Sequence, residues 1–140
     1  MKACRCDPVA EKRVSIKLLG DAKDAYLGLK KIAEEEREKG ITGSFNQTLL
    51  RSIEDKIAIL KKDYDSGIHI PKDRIGRKYV IQYDVTNLWK VNLSGGWRLI
   101  YTLKQPQRGS TEVDILYIWL DVLDIIDHKE YDRIFNYWGR

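Results

Sequence analysis

Long apolar runs are missing from this 140-residue chain. The longest, Ile115 to Leu120, falls far short of the ~20 residues that a helix needs to cross a bilayer. No apolar stretch follows Lys2, Arg5 and Pro8, so a secretory leader is not expected and the reading is a cytoplasmic protein without membrane contact. Cysteine is nearly absent, with Cys4 and Cys6 alone. A Cys-x-Cys pair offers two thiolates where a structural zinc wants about four ligands. His69 and His128 stand far away and lack finger spacing. Residues two apart make a strained disulfide. The expectation is a reduced N-terminal tail over residues 1–11, with no metal and no cofactor. Also missing are a Ser-His-Asp order, a glycine loop that could cradle phosphates, and a carboxylate pair. Acyl transfer and nucleotide hydrolysis therefore lack support.

What is present is an ordinary globular composition, 43% apolar and 33% charged. Two domains would leave each with too little core, so one domain over 1–140 is expected. The 25 Lys and Arg exceed the 21 Asp and Glu by only four, but the excess is unevenly spread. Residues 72–104 carry 7 basic and 2 acidic side chains, whereas residues 105–140 carry 4 and 7. Positive charge concentrated in the middle of the chain raises the local concentration of a polyanion. It equally suits a solvated face.

Val14, Ile16 and Leu18 alternate with polar residues and predict a strand over Arg13–Leu19. Gly20 breaks it, and Asp21 can cap a helix that Ala22, Ala25, Tyr26, Leu29, Ile32 and Ala33 carry to Lys39. Ser44 and Gln47 form a capping-box pattern ahead of a second helix, striped by Phe45, Leu49, Ile53, Ile57 and Leu60. The short link makes these two an antiparallel helical hairpin. Residues 63–87 read as a loop carrying Lys72, Arg74, Arg77 and Lys78, with Tyr79–Tyr83 extended. Three strands follow, Leu88–Leu93, Trp97–Lys104 and Glu112–Leu120, with a tight turn at Ser94-Gly95-Gly96. A helix from Asp127 to Tyr137 closes the chain. The expected fold is α+β: a four-stranded, antiparallel or mixed sheet, covered on one face by the helical hairpin. Its other face would show Lys90, Asn92, Arg98, Thr102 and Asp114.

Arg98 is the most informative charge, because it interrupts a strongly apolar strand. Alternation turns Trp97, Leu99 and Tyr101 toward the helices and Arg98 away from them. Lys90 takes the same side if Trp89 and Val91 face the core. Two like charges side by side destabilise a sheet unless an anion relieves them, and Arg grips phosphate bidentately. The competing reading pairs Arg98 with Asp114 or Asp84. His128 and Tyr131, three apart, share one side of the last helix. His128 can exchange a proton near neutral pH, and Tyr131 can stack on a base. Against that stand a surface His and a core Tyr.

The stretch Asn87-Leu88-Trp89-Lys90-Val91-Asn92-Leu93-Ser94-Gly95-Gly96-Trp97-Arg98-Leu99-Ile100-Tyr101 resembles the central hairpin of the RelE/ParE superfamily of toxins in toxin-antitoxin modules. The segment Asp127–Phe135 is similar to the family's C-terminal part. The resemblance spans about residues 12–138 and implies the element order β-α-α-β-β-β-α. It implies a small endoribonuclease that cuts ribosome-bound messenger RNA, needs no metal, uses the RNA's own 2′-hydroxyl as nucleophile, and is neutralised by a partner antitoxin. Carried over by position, Arg98 would stabilise the phosphorane, Lys90 would assist, and Tyr131 would stack on or orient the nucleotide. Lys72, Arg74, Arg77, Lys78 and Asn92 would bind substrate. The chain departs from RNA-cleaving relatives in two places. Asn92 stands where a second lysine is usual, and Ile125, Ile126 and Asp127 stand where arginines precede the last helix. His128 is then the candidate replacement acid or base. An alternative within the same fold is a non-nuclease that binds protein, as a DNA gyrase inhibitor or a repressor component, through a groove lined by Leu116, Ile118, Ile125, Ile126 and Trp138. A degenerate inactive relative and a solitary RNA-binding protein are further alternatives.

Overall fold

The computed structural model describes residues 11–105 and 115–136. Cys4, Cys6, Asp114, Tyr137 and Trp138 lie outside them. The described elements are β1 (Glu11–Leu18), α1 (Gly20–Glu38), α2 (Phe45–Lys62), β2 (Ile68–Ile70), α3 (Arg77–Tyr83), β3 (Leu88–Asn92), β4 (Arg98–Lys104), β5 (Ile115–Ile126) and α4 (His128–Tyr131). Single 3-10 turns sit at Lys72–Arg74 and Ser94–Gly96, and α4 passes into a π-helical turn over Asp132–Asn136. The sheet order is β1-β5-β4-β3-β2. β1 runs parallel to β5, and every other neighbouring pair is antiparallel. The first strand begins at Glu11, inside the expected tail.

The helical hairpin forms as its periodicity predicts. Ser44 caps α2, its Oγ accepting from the Gln47 N–H at 3.1 Å. Gln47 reaches back to the Gly43 N–H rather than to its cap, and its amide donates to the Ile41 carbonyl, which closes the turn. Helix α1 starts one residue before the expected cap, with Leu19 at the N-cap position and Asp21 in the first turn. Glu36 receives hydrogen bonds from Ser44, Asn46 and Gln47, and these hold its carboxyl below the ordinary value, the Ser44 hydroxyl contributing most. A depressed folded-state value means stability that is full above the ordinary carboxylate range and lost as pH falls through it. Glu36→Gln is therefore expected to flatten the drop in melting temperature between neutral pH and pH below 4.5, as read by thermal unfolding.

One sheet face meets α1 and α2 through Ala22, Leu49, Ile53, Leu60, Leu99, Tyr101, Leu120 and Val122. Trp89, Val91 and Trp97 join this side, as alternation predicts. Burying each such large side chain contributes about 1.5–3 kcal/mol.

The other face corrects the sequence-based picture. The sheet has five strands, not four, because Ile68-His69-Ile70 pairs with β3 at its outer edge. Three residues between Gly67 and Pro71 are too few to show a period. Tyr79–Tyr83 is helical rather than extended. Its β-branched Val80 and Ile81 read as strand but point to solvent, while Tyr79 is fully buried. The face is not open, since Tyr79, Leu88, Ile100, Leu123, Ile126, Ile134 and Phe135 build a second core beneath α3 and the C-terminal turns. The wide π-helical turn lets the consecutive Ile134 and Phe135 both point inward. Thr102 is buried on this side, and its hydroxyl donates to the Asn87 carbonyl at 2.7 Å. Ile118, Ile125 and Ile126 are buried and do not come together in one groove: Ile118 borders a cleft beside Val14, Ile16 and Trp119, while Ile125 and Ile126 belong to opposite cores; the side chains of Leu116 and Trp138 lie outside the described ones. A bulge opposite Ile100 and Tyr101 shifts the register of β5, so that Leu123 and Asp124 both turn to the second core.

Candidate functional site

The hairpin of β3 and β4 fixes two cations. Lys90 pairs with Ile100, and Arg98 pairs with Asn92, which sets Lys90 and Arg98 diagonally on the face away from the helical hairpin. The turn between them is anchored by its backbone. Gly95 and Gly96 hold φ of 68° and 82°, and the Ser94 N–H donates to the Ser52 hydroxyl of α2 at 3.1 Å.

Tyr131, at the end of α4, brings both cations to one ring. Lys90 Nζ lies 4.7 Å from the ring centroid and Arg98 Cζ 5.1 Å from it. The two charges thus sit within one Debye length of each other, about 10 Å at 0.1 M salt. Each cation–ring contact contributes about 0.5–2 kcal/mol, depending on desolvation. The ring is itself supported. It tilts against Phe135 at 4.6 Å, Phe135 stacks on Tyr79 at 5.9 Å, and the Tyr79 hydroxyl donates to Asp124 at 3.0 Å. Burial, and then the Asp124 carboxylate, push the Tyr79 hydroxyl well above its ordinary pKa, so it stays a donor.

Neither Lys90 nor Arg98 forms an ion pair among the described residues, and Asp84 instead closes α3 in the left-handed conformation. Arg98 is half-buried and folded back on its own turn, with Nη1 donating to the Gly96 carbonyl at 2.6 Å. Its Nε is buried without a hydrogen-bond partner.

The other expected residues divide. His128 is exposed beside Gly96, where an added Cβ would lie 3.4 Å from the His128 Cβ, and its Nε2 is 3.1 Å from Asp132 Oδ2. Arg74 joins Lys90, Tyr131 and Phe135 around a cleft of about 200 Å³. Lys72, Arg77 and Asn92 are exposed. Lys78 is engaged elsewhere: its ammonium sits 2.6 Å from Asp124 and 3.8 Å from Asp21, joining α3 to the sheet. Sequence reasoning missed Asp124 and Tyr79. The signal was available, because a carboxylate inside Val122-Leu123-Asp124-Ile125-Ile126 has to be buried with a partner.

The arrangement can hold a phosphodiester against two cations and a base against an aromatic ring. Among the described residues, no helix is long and apolar enough to cross a membrane, and no cluster of three or more His, Cys, Asp or Glu is placed to hold a metal. No protein-family model, curated protein or solved structure matches the chain.

Proposed function

We propose that this chain is a toxin-like endoribonuclease of the RelE/ParE kind, which cuts ribosome-bound messenger RNA without a metal and is held inactive by a partner antitoxin. The observation that carries the reading is the convergence of Lys90 and Arg98 on one Tyr131 ring, with no carboxylate paired to either among the described residues. Two cations gathered over one ring without a carboxylate favour a bound anion. The helical hairpin followed by the strand meander agrees with the resemblance, while β2 and α3 are additions to the implied order.

In this reading the 2′-hydroxyl loses its proton to a general base as its oxygen attacks the adjacent phosphorus. The 5′-oxygen leaves with a proton, and a cyclic phosphate remains. Arg98 and Lys90 stabilise the charge that grows on the phosphoryl oxygens. His128, held by Asp132, is the candidate general acid or base. Tyr131 receives the neighbouring base.

The test is incubation of the antitoxin-free protein with programmed ribosomes from its own host. The expected result is a cut message ending in cyclic phosphate; an intact message overturns the reading. Tyr131 gives a graded check. Tyr131→Phe keeps the ring and should bind single-stranded RNA as the parent does, whereas Tyr131→Leu should weaken binding by about 1–3 kcal/mol, the worth of one base stacked on an aromatic side chain. Filter binding would read both.

A further inference from the structure

Lys90 borders a second cleft besides the one it shares with Arg74 and Tyr131. This second cleft, of about 320 Å³, lies between α2 and the sheet edge, and its walls include Lys56, Ile59, Ile68, Val91 and Asn92. The two clefts share Ile68 and Lys90. Strand β2 separates them only partly. It ends at Ile68, opposite Lys90, so Val91 and Asn92 run on without an outer strand partner. Arg74, Lys90 and Lys56 thus border two clefts that adjoin at Ile68 and Lys90 and together make a trough over the sheet edge. Among the described residues, no carboxylate lines either part of it.

From this we infer that the trough is the track of a single-stranded RNA, with Lys56 as a phosphate-binding residue beyond the Lys90 and Arg98 pair. The inference rests on the proposed ribonuclease reading and extends it along the substrate. The occupant is a polynucleotide rather than one nucleotide because the cations recur on both sides of Lys90. The two ends differ in chemistry. The Arg74 end offers the half-buried ring of Tyr131 as the aromatic group for a base, with the buried Phe135 beneath it as support. The Lys56 end presents aliphatic Ile59, Ile68 and Val91, which contact a sugar or base without reading its hydrogen-bonding edge. Base preference therefore resides at the Tyr131 end, and the Lys56 end binds any sequence.

Salt dependence of binding tests this on a short single-stranded RNA with 2′-O-methyl riboses, which binds but cannot be cut. Each phosphate contact contributes about 0.7 to the logarithmic salt slope of single-strand binding. Lys56→Ala should lower the slope by about 0.7 and the affinity by about fivefold at 0.1 M salt. Lys56→Arg should restore both, and Lys30→Ala, which removes an exposed charge from α1, should change neither. A Lys56→Ala slope equal to that of Lys30→Ala overturns the inference. So does polyglutamate that competes as well as RNA of equal charge, since the trough would then be a general acidic-chain surface. Because the probe is uncleavable, intact message on ribosomes with a normal Lys56 effect would remove the nuclease and keep the track.

Discussion

Arg98→Ala is expected to slow cleavage of ribosome-bound message by about two to three orders of magnitude, the usual effect of removing one donor from a transition-state anion site. Single-turnover cleavage measures it. The same variant should lose no more than about 0.5–2 kcal/mol of stability, the worth of its contact with the Tyr131 ring. Among the described residues Arg98 donates hydrogen bonds only to the carbonyls of its own turn, and its buried Nε has no partner, so truncation also removes an uncompensated polar group, which offsets part of that loss. A large kinetic loss with a small stability loss separates a group built for a ligand from one built for the fold. Arg98→Lys should recover only part of the rate, because an ammonium lacks the planar fork that matches a phosphate. An undiminished rate in Arg98→Ala would remove this residue from the chemistry.

Asp124→Ala should be the most destabilising of the substitutions considered, by about 2–3 kcal/mol in urea denaturation out of a typical total of about 5–15. Asp124 is 3% exposed and takes hydrogen bonds from Lys78 and Tyr79. Lys78 can regain water when freed, because its side chain is 31% exposed. The Tyr79 hydroxyl has no such recourse and would be left buried without an acceptor, which sets most of the cost. Tyr79→Phe should cost less, since Asp124 keeps Lys78. Both changes should also weaken RNA binding, because Phe135 stacks on Tyr79 and Tyr131 leans on Phe135. A loss below about 1 kcal/mol for Asp124→Ala would show that this carboxylate does not pin α3.

These two residues mark how far the chain could be read unaided. Arg98 was legible because strand alternation needs only a few residues, and Trp97, Leu99 and Tyr101 on one side force Arg98 to the other. Helices α1 and α2 were legible because each repeats its apolar spacing over 18 or 19 residues. Tyr131 stood out on the apolar side of the last helix. The second core was not legible. Strand β2 is three residues long, and α3 is seven residues with strand-like side chains turned outward. What fixes α3 is Tyr79 meeting Asp124 from 45 positions away, and no local pattern carries such a contact. The bulge at Leu123 defeats alternation where the last strand turns Asp124 inward. Even the retracted guanidinium escapes a pattern of residue types, because backbone carbonyls of its own turn hold it.

The lateral pairing of β1 has a bearing on how the molecule comes into being. Glu11 aligns with Ile115 and Leu18 with Val122, so β1 finds this neighbour only after every intervening element has been translated. Contacts of such wide separation slow folding, because the intervening chain must be ordered before they form. A nascent chain therefore carries β1 without this partner until β5 has been made, and the Tyr131 platform, which follows β5, is assembled later still.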